Sequence, residues 1–373
     1  MESGYKDKIQ ALESALQTRE GDLFEQQRHF QVAIENRDKR INYLRRRIIG
    51  LEEKVQLHER ERRELESAVA TAQEGALRSM ARGSCMPMED RTVRDALTKL
   101  QEALRVWART YSVGSIADMH HVPNEKLEHI IKLLEGYCIQ DGWDSLIAQL
   151  KIPPTRVPII LVQALLAKSI YTVIFANPFF AFATANRDWR LPGQGEVQVL
   201  YETMIRHDPG KAHSWRSLML RVLSSPPPDP TMQPSLSLLL ESLAIDLAAS
   251  LLNGPVSVLL RPAKDDQERE RQALSLRKLY HTAGELALSL WTQRTFMKCH
   301  GLHHLRTFHS SSEQMTAHRL HQLDEDDNRL DGNTILLCIQ PLVLAFGNEH
   351  GEHYDISKVW AKATVLVADP EAE

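Results

Sequence analysis

The 373-residue chain predicts a mainly α protein: a long N-terminal coiled-coil helix, then a helical globular body with a small C-terminal β hairpin or sheet. Three observations carry that expectation. Residues 1–80 hold an apolar seam at heptad spacing and almost no helix breakers. From residue 90, apolar side chains recur every three and four positions between Gly and Pro interruptions. After residue 335 the pattern changes to short β-branched or apolar runs separated by turn residues.

The seam begins with Ile9, Leu16, Leu23 and Phe30. It then slips by four residues into Ile34, Ile41, Ile48, Val55, Arg62 and Val69, with Leu44, Leu51 and Leu65 three residues after members of that second series. A seven-residue repeat makes a helix wrap a partner, and a four-residue insertion is a stutter that relaxes the supercoil. Arg19, Gln26, Arg37, His58 and Arg62 also fall in seam positions. They favour two strands, because a dimer leaves long polar side chains a route to solvent. Residues 1–80 are therefore expected to self-associate as a parallel pair. The competing expectation is one long helix folded back on the body.

Arg37, Lys39, Arg40, Arg45, Arg46 and Arg47 form a basic concentration within this segment. A basic region feeding a leucine seam is the arrangement of leucine-zipper DNA binders. Here Ile41, Tyr43 and Leu44 interrupt the basic surface, the seam continues N-terminal to it, and His58 breaks the leucine series. A solvated coiled-coil flank fits better, with a nuclear import signal as a further reading. The segment holds 15 basic and 15 acidic residues, and the whole chain carries a net charge of −4. That balance supplies no field for non-specific attraction to nucleic acid or an anionic membrane.

Residues 81–89, including Arg82-Gly83-Ser84-Cys85-Met86-Pro87-Met88, read as a linker. A helical body is expected over 90–310. Asp90 is placed to cap a helix with Val93, Leu97, Leu100, Leu104 and Trp107 inward. Pro123 opens another, and Asp144–Leu150 makes a short one ended by Pro153-Pro154. Further helices are expected at 195–207, from Asp208 to Leu223, at 235–252 and at 265–297. Ser224–Pro234 holds five prolines in eleven residues and must be an extended loop. Residues 311–373 form a small mixed α/β segment packed on the body, with strands at Ile335–Gln340, Val343–Phe346 and Ala363–Val367.

With 43% hydrophobic and 25% charged residues, the composition is that of a globular protein, which excludes wholesale disorder. Cys85, Cys138, Cys299 and Cys338 show no close pairing, so neither a zinc knuckle nor a disulfide framework is implied. The polar N-terminus has no apolar signal segment, and the expected compartment is cytoplasm or nucleus. Val157–Ala185 reaches the ~20 residues that a spanning helix needs, but Gln163, Lys168 and Asn177-Pro178 interrupt it. It is expected to be a buried core helix, with Lys168 snorkelling outward or meeting an acid, and with Trp107, Trp215 and Trp291 inside the same body.

The densest titratable cluster is Cys299, His300, His303, His304, His309, His318 and His321, followed by Asp324–Asp327. Thiolate and imidazole are zinc ligands, and Cys299, His300, His304, His318 and His321 are the candidate set, with His300/His304 or His318/His321 sharing a helix face. One thiol and scattered imidazoles lack the paired spacing of a structural site, so no bound metal is expected. These histidines should instead gain charge together near pH 6.5, the unperturbed imidazole value of about that size. Asp324-x-Asp326-x-Asn328 opens like a calcium loop but has Arg329 where glycine is needed and Ile335 where a bidentate Glu is needed. Glu349–Asp355 reads as a polar hairpin loop. No nucleophile elbow, phosphate loop or dinucleotide fingerprint occurs.

Ile339–Val367, Met315–Leu323, Ile174–Phe180, Leu97–Trp107 and the opening helix around Leu12-Glu13-Ser14 resemble a group of uncharacterised proteins of filamentous ascomycete fungi. The resemblance implies an intracellular protein of coiled-coil-plus-helical design and no assigned chemistry. In that group a more basic stretch follows the tryptophan, where this chain reads Ala108-Arg109-Thr110-Tyr111. The expected function is a non-enzymatic oligomeric scaffold or protein-interaction protein without catalytic residues or cofactor. Its expected partners are a second copy, through residues 1–80, and another protein. The alternatives are a metal-dependent or enzymatic protein using segment 299–321, and a transcription-associated regulator.

Overall fold

The computed structural model describes residues 2–81, 87–184, 192–225, 236–324 and 327–369. Most of linker 81–89, most of the proline loop, and Glu325 and Asp326 of the acidic run lie outside the described residues. The chain divides into two units, Met1–Arg82 and Gly83–Glu373. The fold is mostly helical, with a C-terminal strand region.

The first unit is one helix, α1 (Glu2–Ala81), 80 residues long. At about 1.5 Å per residue it extends about 120 Å. No Pro interrupts it, and its glycines are Gly4, Gly21, Gly50 and Gly75, so nothing in the covalent chain stops the hydrogen-bond ladder.

The second unit is built around α5 (Val157–Ile170), whose side chains from Ile160 to Ala167 are all buried. Pro158 sits in its first turn, where no backbone donor is lost. It continues through a π-helical turn (Tyr171–Phe175) and ends at Asn177-Pro178. The apolar stretch is therefore a core helix, and Lys168 at its flank is half-buried. Burial lowers the Lys168 ammonium's pKa, while the Glu135 carboxylate opposes that shift.

Around α5 lie α2 (Asp90–Tyr111), α3 (Asn124–Leu133), α4 (Trp143–Leu150), α6 (Gln194–His207), α7 (Pro209–Ser224), α8 (Leu236–Asn253) and α9 (Asp266–Trp291). Asp208 caps α7 by accepting from the Lys211 amide at 3.0 Å, and Asp265 caps α9 through the Glu268 amide at 2.6 Å. Asp90 does not cap α2. Its carboxylate accepts from Trp360 Nε1 at 3.0 Å and meets Lys358 Nζ at 2.7 Å, pinning the helix to the strand region. Gly284 of α9 lets α8 approach closely, since a Cβ there would lie 2.1 Å from Leu240 Cδ1. Like α5, α8 is long and apolar enough to cross a membrane, but its exposed face carries Glu241 and Asp246.

The strands form two three-stranded sheets, where one hairpin or sheet was expected. In the first, β1 (Phe296–His300) pairs antiparallel with β4 (Leu342–Phe346), which pairs with β5 (Ser357–Ala361). In the second, β2 (Met315–Ala317) runs parallel to β6 (Ala363–Val367), which is antiparallel to β3 (Ile335–Gln340). All six β3 residues are buried, as its unbroken apolar run requires. Two sequence expectations change. The helix expected to reach Met297 stops at Trp291, because Phe296 and Met297 pair with Phe346 and Ala345 some fifty residues away. For the same reason the strand region crosses residue 310, where the mixed segment was expected to begin.

Candidate functional site

The sequence-derived seam lies along α1. Leu16, Leu23, Ile41, Leu44, Ile48, Leu51, Val55 and Leu65 are exposed in the single chain, from 39% at Ile41 to 66% at Leu65. The side chains of Ile9, Phe30, Ile34 and Val69 lie outside the described residues. Two polar side chains at seam positions are met by carboxylates of their own helix: His58 Nδ1 lies 3.1 Å from Glu61 and Arg62 Nε 3.3 Å from Glu66.

The histidine set does not assemble. His300 ends β1 in one sheet, and its ring stacks on that of His304 in the following turn, centroids 4.3 Å apart. His318 and His321 flank a short 3-10 turn after β2, in the other sheet, so neither pair shares an α-helical face. His318 Nδ1 accepts the Leu320 amide at 3.4 Å, and His321 Nε2 accepts the Val367 amide at 3.1 Å. These lone pairs are engaged by backbone, which removes them as metal donors. Burial pushes Cys299 up to about 12, away from the thiolate that a metal needs. Among the described residues no three His, Cys, Asp or Glu side chains converge as ligands. The histidines do not titrate together either, because burial holds His300 and His321 below the usual range and His318 at about 4.

The most unusual chemistry lies where no sequence motif points. On α7, His213, Arg216, Ser217 and Leu220 form the buried face, spaced by three, one and three. Arg216 is 0% exposed. Its Nη1 donates to Tyr201 Oη on α6 at 3.1 Å, and Nη2 donates to the Thr295 carbonyl at 3.0 Å and to the Gln293 carbonyl. The guanidinium carbon lies 5.1 Å from the Trp291 ring and 5.9 Å from that of Tyr201. Tyr201 Oη and His213 Nδ1 are 2.6 Å apart. Tyr201 accepts from Arg216 and still has its own proton to give, which a neutral His213 is placed to take on Nδ1. Burial and then the Arg216 charge hold His213 down at about 3.

The β4–β5 loop covers this group. Tyr354 lies with its ring 4.4 Å from that of His213 and donates to the Arg294 carbonyl at 2.9 Å, while Arg294 Nη1 donates to the His350 carbonyl at 3.1 Å. Asn348 Oδ1 accepts the amides of His350 and Glu352, both at 3.0 Å, which shapes the loop. Gly347, at φ +80°, admits the Tyr354 ring, because a Cβ would meet it at 2.6 Å. Ser217 Oγ is turned to the Thr292 carbonyl at 2.6 Å, so the group pairs no nucleophile with its imidazole.

A faint sequence signal for it does exist: α7 has its polarity reversed. Leu218 and Val222 are 57% and 63% exposed while Arg216 is inside. The chain matches no protein-family model, no curated protein and no solved structure.

Proposed function

We propose that this chain is a non-enzymatic oligomeric scaffold, in which α1 pairs with a second copy and the unit Gly83–Glu373 presents a surface to another protein. One observation carries the reading: α1 holds its heptad-spaced Leu, Ile and Val side chains in solvent along a helix of 80 residues. A lone helix has no interior, so its apolar seam gains burial only from another chain or element. The seven-residue period specifies a helical partner of the same pitch. The Glu66 carboxylate beside Arg62 offsets the seam charge that self-pairing would bring against its copy. The resemblance to fungal coiled-coil-plus-helical proteins agrees with this design.

Sedimentation equilibrium of the full chain tests it. Wild type should run at twice the chain mass, and Leu44→Glu/Leu51→Glu should run as a monomer. Each buried leucine contributes roughly 1.5–3 kcal/mol, and four are lost per dimer. A monomeric wild type with unchanged helix content would refute the proposal and favour a helix that works alone.

A further inference from the structure

We infer that the buried group around Arg216 is a binding centre for a small oxyanion, a carboxylate or a phosphate-like ion. Three observations converge. First, Arg216 is a fully buried guanidinium that meets only neutral partners: a phenol, two carbonyls and two aromatic faces. Among the described residues no Asp or Glu pairs with it. A buried charge without an opposite charge is costly, and proteins meet that cost with a counter-ion.

Second, buried polar atoms left without a protein partner gather here. Arg216 Nε, Trp291 Nε1 and Thr295 Oγ1 belong to residues that are 0%, 1% and 6% exposed, and none has a hydrogen-bond partner. Arg216 meets both other residues, over the Trp291 ring and through the Thr295 backbone carbonyl. Third, their chemistry has one sense. The guanidinium and indole groups only donate, and the threonine hydroxyl donates when faced with an acceptor. Donors beside a fixed positive charge, shielded from water, select an anion with oxygen acceptors. Burial and the Arg216 charge keep His213 neutral, so it contributes no competing charge. Phe296, Trp291 and the Tyr354 loop pack around the group and its unpartnered atoms lie out of solvent, so the proposed ion is a small one.

Thermal unfolding of the full chain in acetate, inorganic phosphate or the bulky sulfonate MES, at one ionic strength, tests this. Ligand that binds only the folded state raises the midpoint. Acetate or phosphate should raise it saturably and MES should not; acetate alone would indicate a planar carboxylate, and phosphate a tetrahedral ion. Thr295→Val removes one donor at nearly constant shape, and Trp291→Phe removes the indole N–H together with part of the ring. Each should weaken binding about tenfold, the worth of one hydrogen bond to a charged group. Equal shifts in all three anions, no saturable shift, or undiminished affinity in both variants would overturn the inference.

Discussion

Helices α1 and α7 both hold leucines and valines in solvent, yet they do so for opposite reasons. In α1 the described seam residues from Leu16 to Leu65 are exposed at heptad spacing, and no described side chain of that helix is buried to set against them. In α7, Leu218 and Val222 are outside because Arg216, His213 and Ser217 occupy the inside. On the proposed reading, the first exposure is a pattern awaiting a partner. The second is a consequence of a polar centre that captured the helix. An apolar residue in water therefore says little until the opposite face of its helix is known.

The largest effect should come from Arg216. Arg216→Met keeps the length of the side chain but takes the Arg216 donors from the buried Gln293 and Thr295 carbonyls, while Tyr201 keeps its bond to His213. At about 1–3 kcal/mol for each unpaired buried group, the loss should be about 2 kcal/mol or more. Urea unfolding followed at the tryptophans reads it; a variant as stable as wild type would mean that α7 is held by its apolar contacts alone.

Acid should act next. His213 sits at about 3 and His318 at about 4 in the folded chain, both below the unfolded value near 6.5. The unfolded chain therefore takes up protons first. Stability is complete above about pH 6.5 and falls as pH drops towards 4, by at most about 1.4 kcal/mol per pH unit for each histidine. Denaturation midpoints at pH 7, 6 and 5 should show this decline, and His213→Gln should flatten it. Unchanged midpoints across that range would show that neither imidazole is held neutral by the fold.

The smallest effect sharpens the comparison most. Leu218→Ser and Leu51→Ser both change an exposed residue, and each should leave folding stability within about 0.5 kcal/mol. They should part in sedimentation, where Leu51→Ser weakens self-association and Leu218→Ser leaves the mass unchanged. If Leu218→Ser also lowered the mass, the outer face of α7 would belong to the oligomer.

Local rules served well wherever the signal was local. The helices expected from Asp208 and from residue 265 form and are capped by Asp208 and Asp265, the apolar segment ends at Asn177-Pro178, and the apolar run at Ile335–Gln340 is a buried strand. Asp90 failed as a cap because Trp360, 270 residues away, claims its carboxylate. Phe296–His300 failed as a helix end because its partner strand lies beyond residue 340. The histidines clustered in sequence were dispersed by the topology, since residues 299–304 and 315–321 enter different sheets.

By itself the sequence determined the elements with a period: the long helix and its seam, the amphipathic helices of the body and the core helix α5. A period is written in consecutive side chains and needs no distant partner to be read. Tertiary structure alone decided which face of α7 turned inward, which imidazoles were consumed by backbone amides, and that Tyr201, Arg216, Trp291 and Thr295 would meet. Those outcomes depend on hydrogen bonds and ring contacts between residues up to 79 positions apart. Nothing in the spacing of those residues announces such encounters.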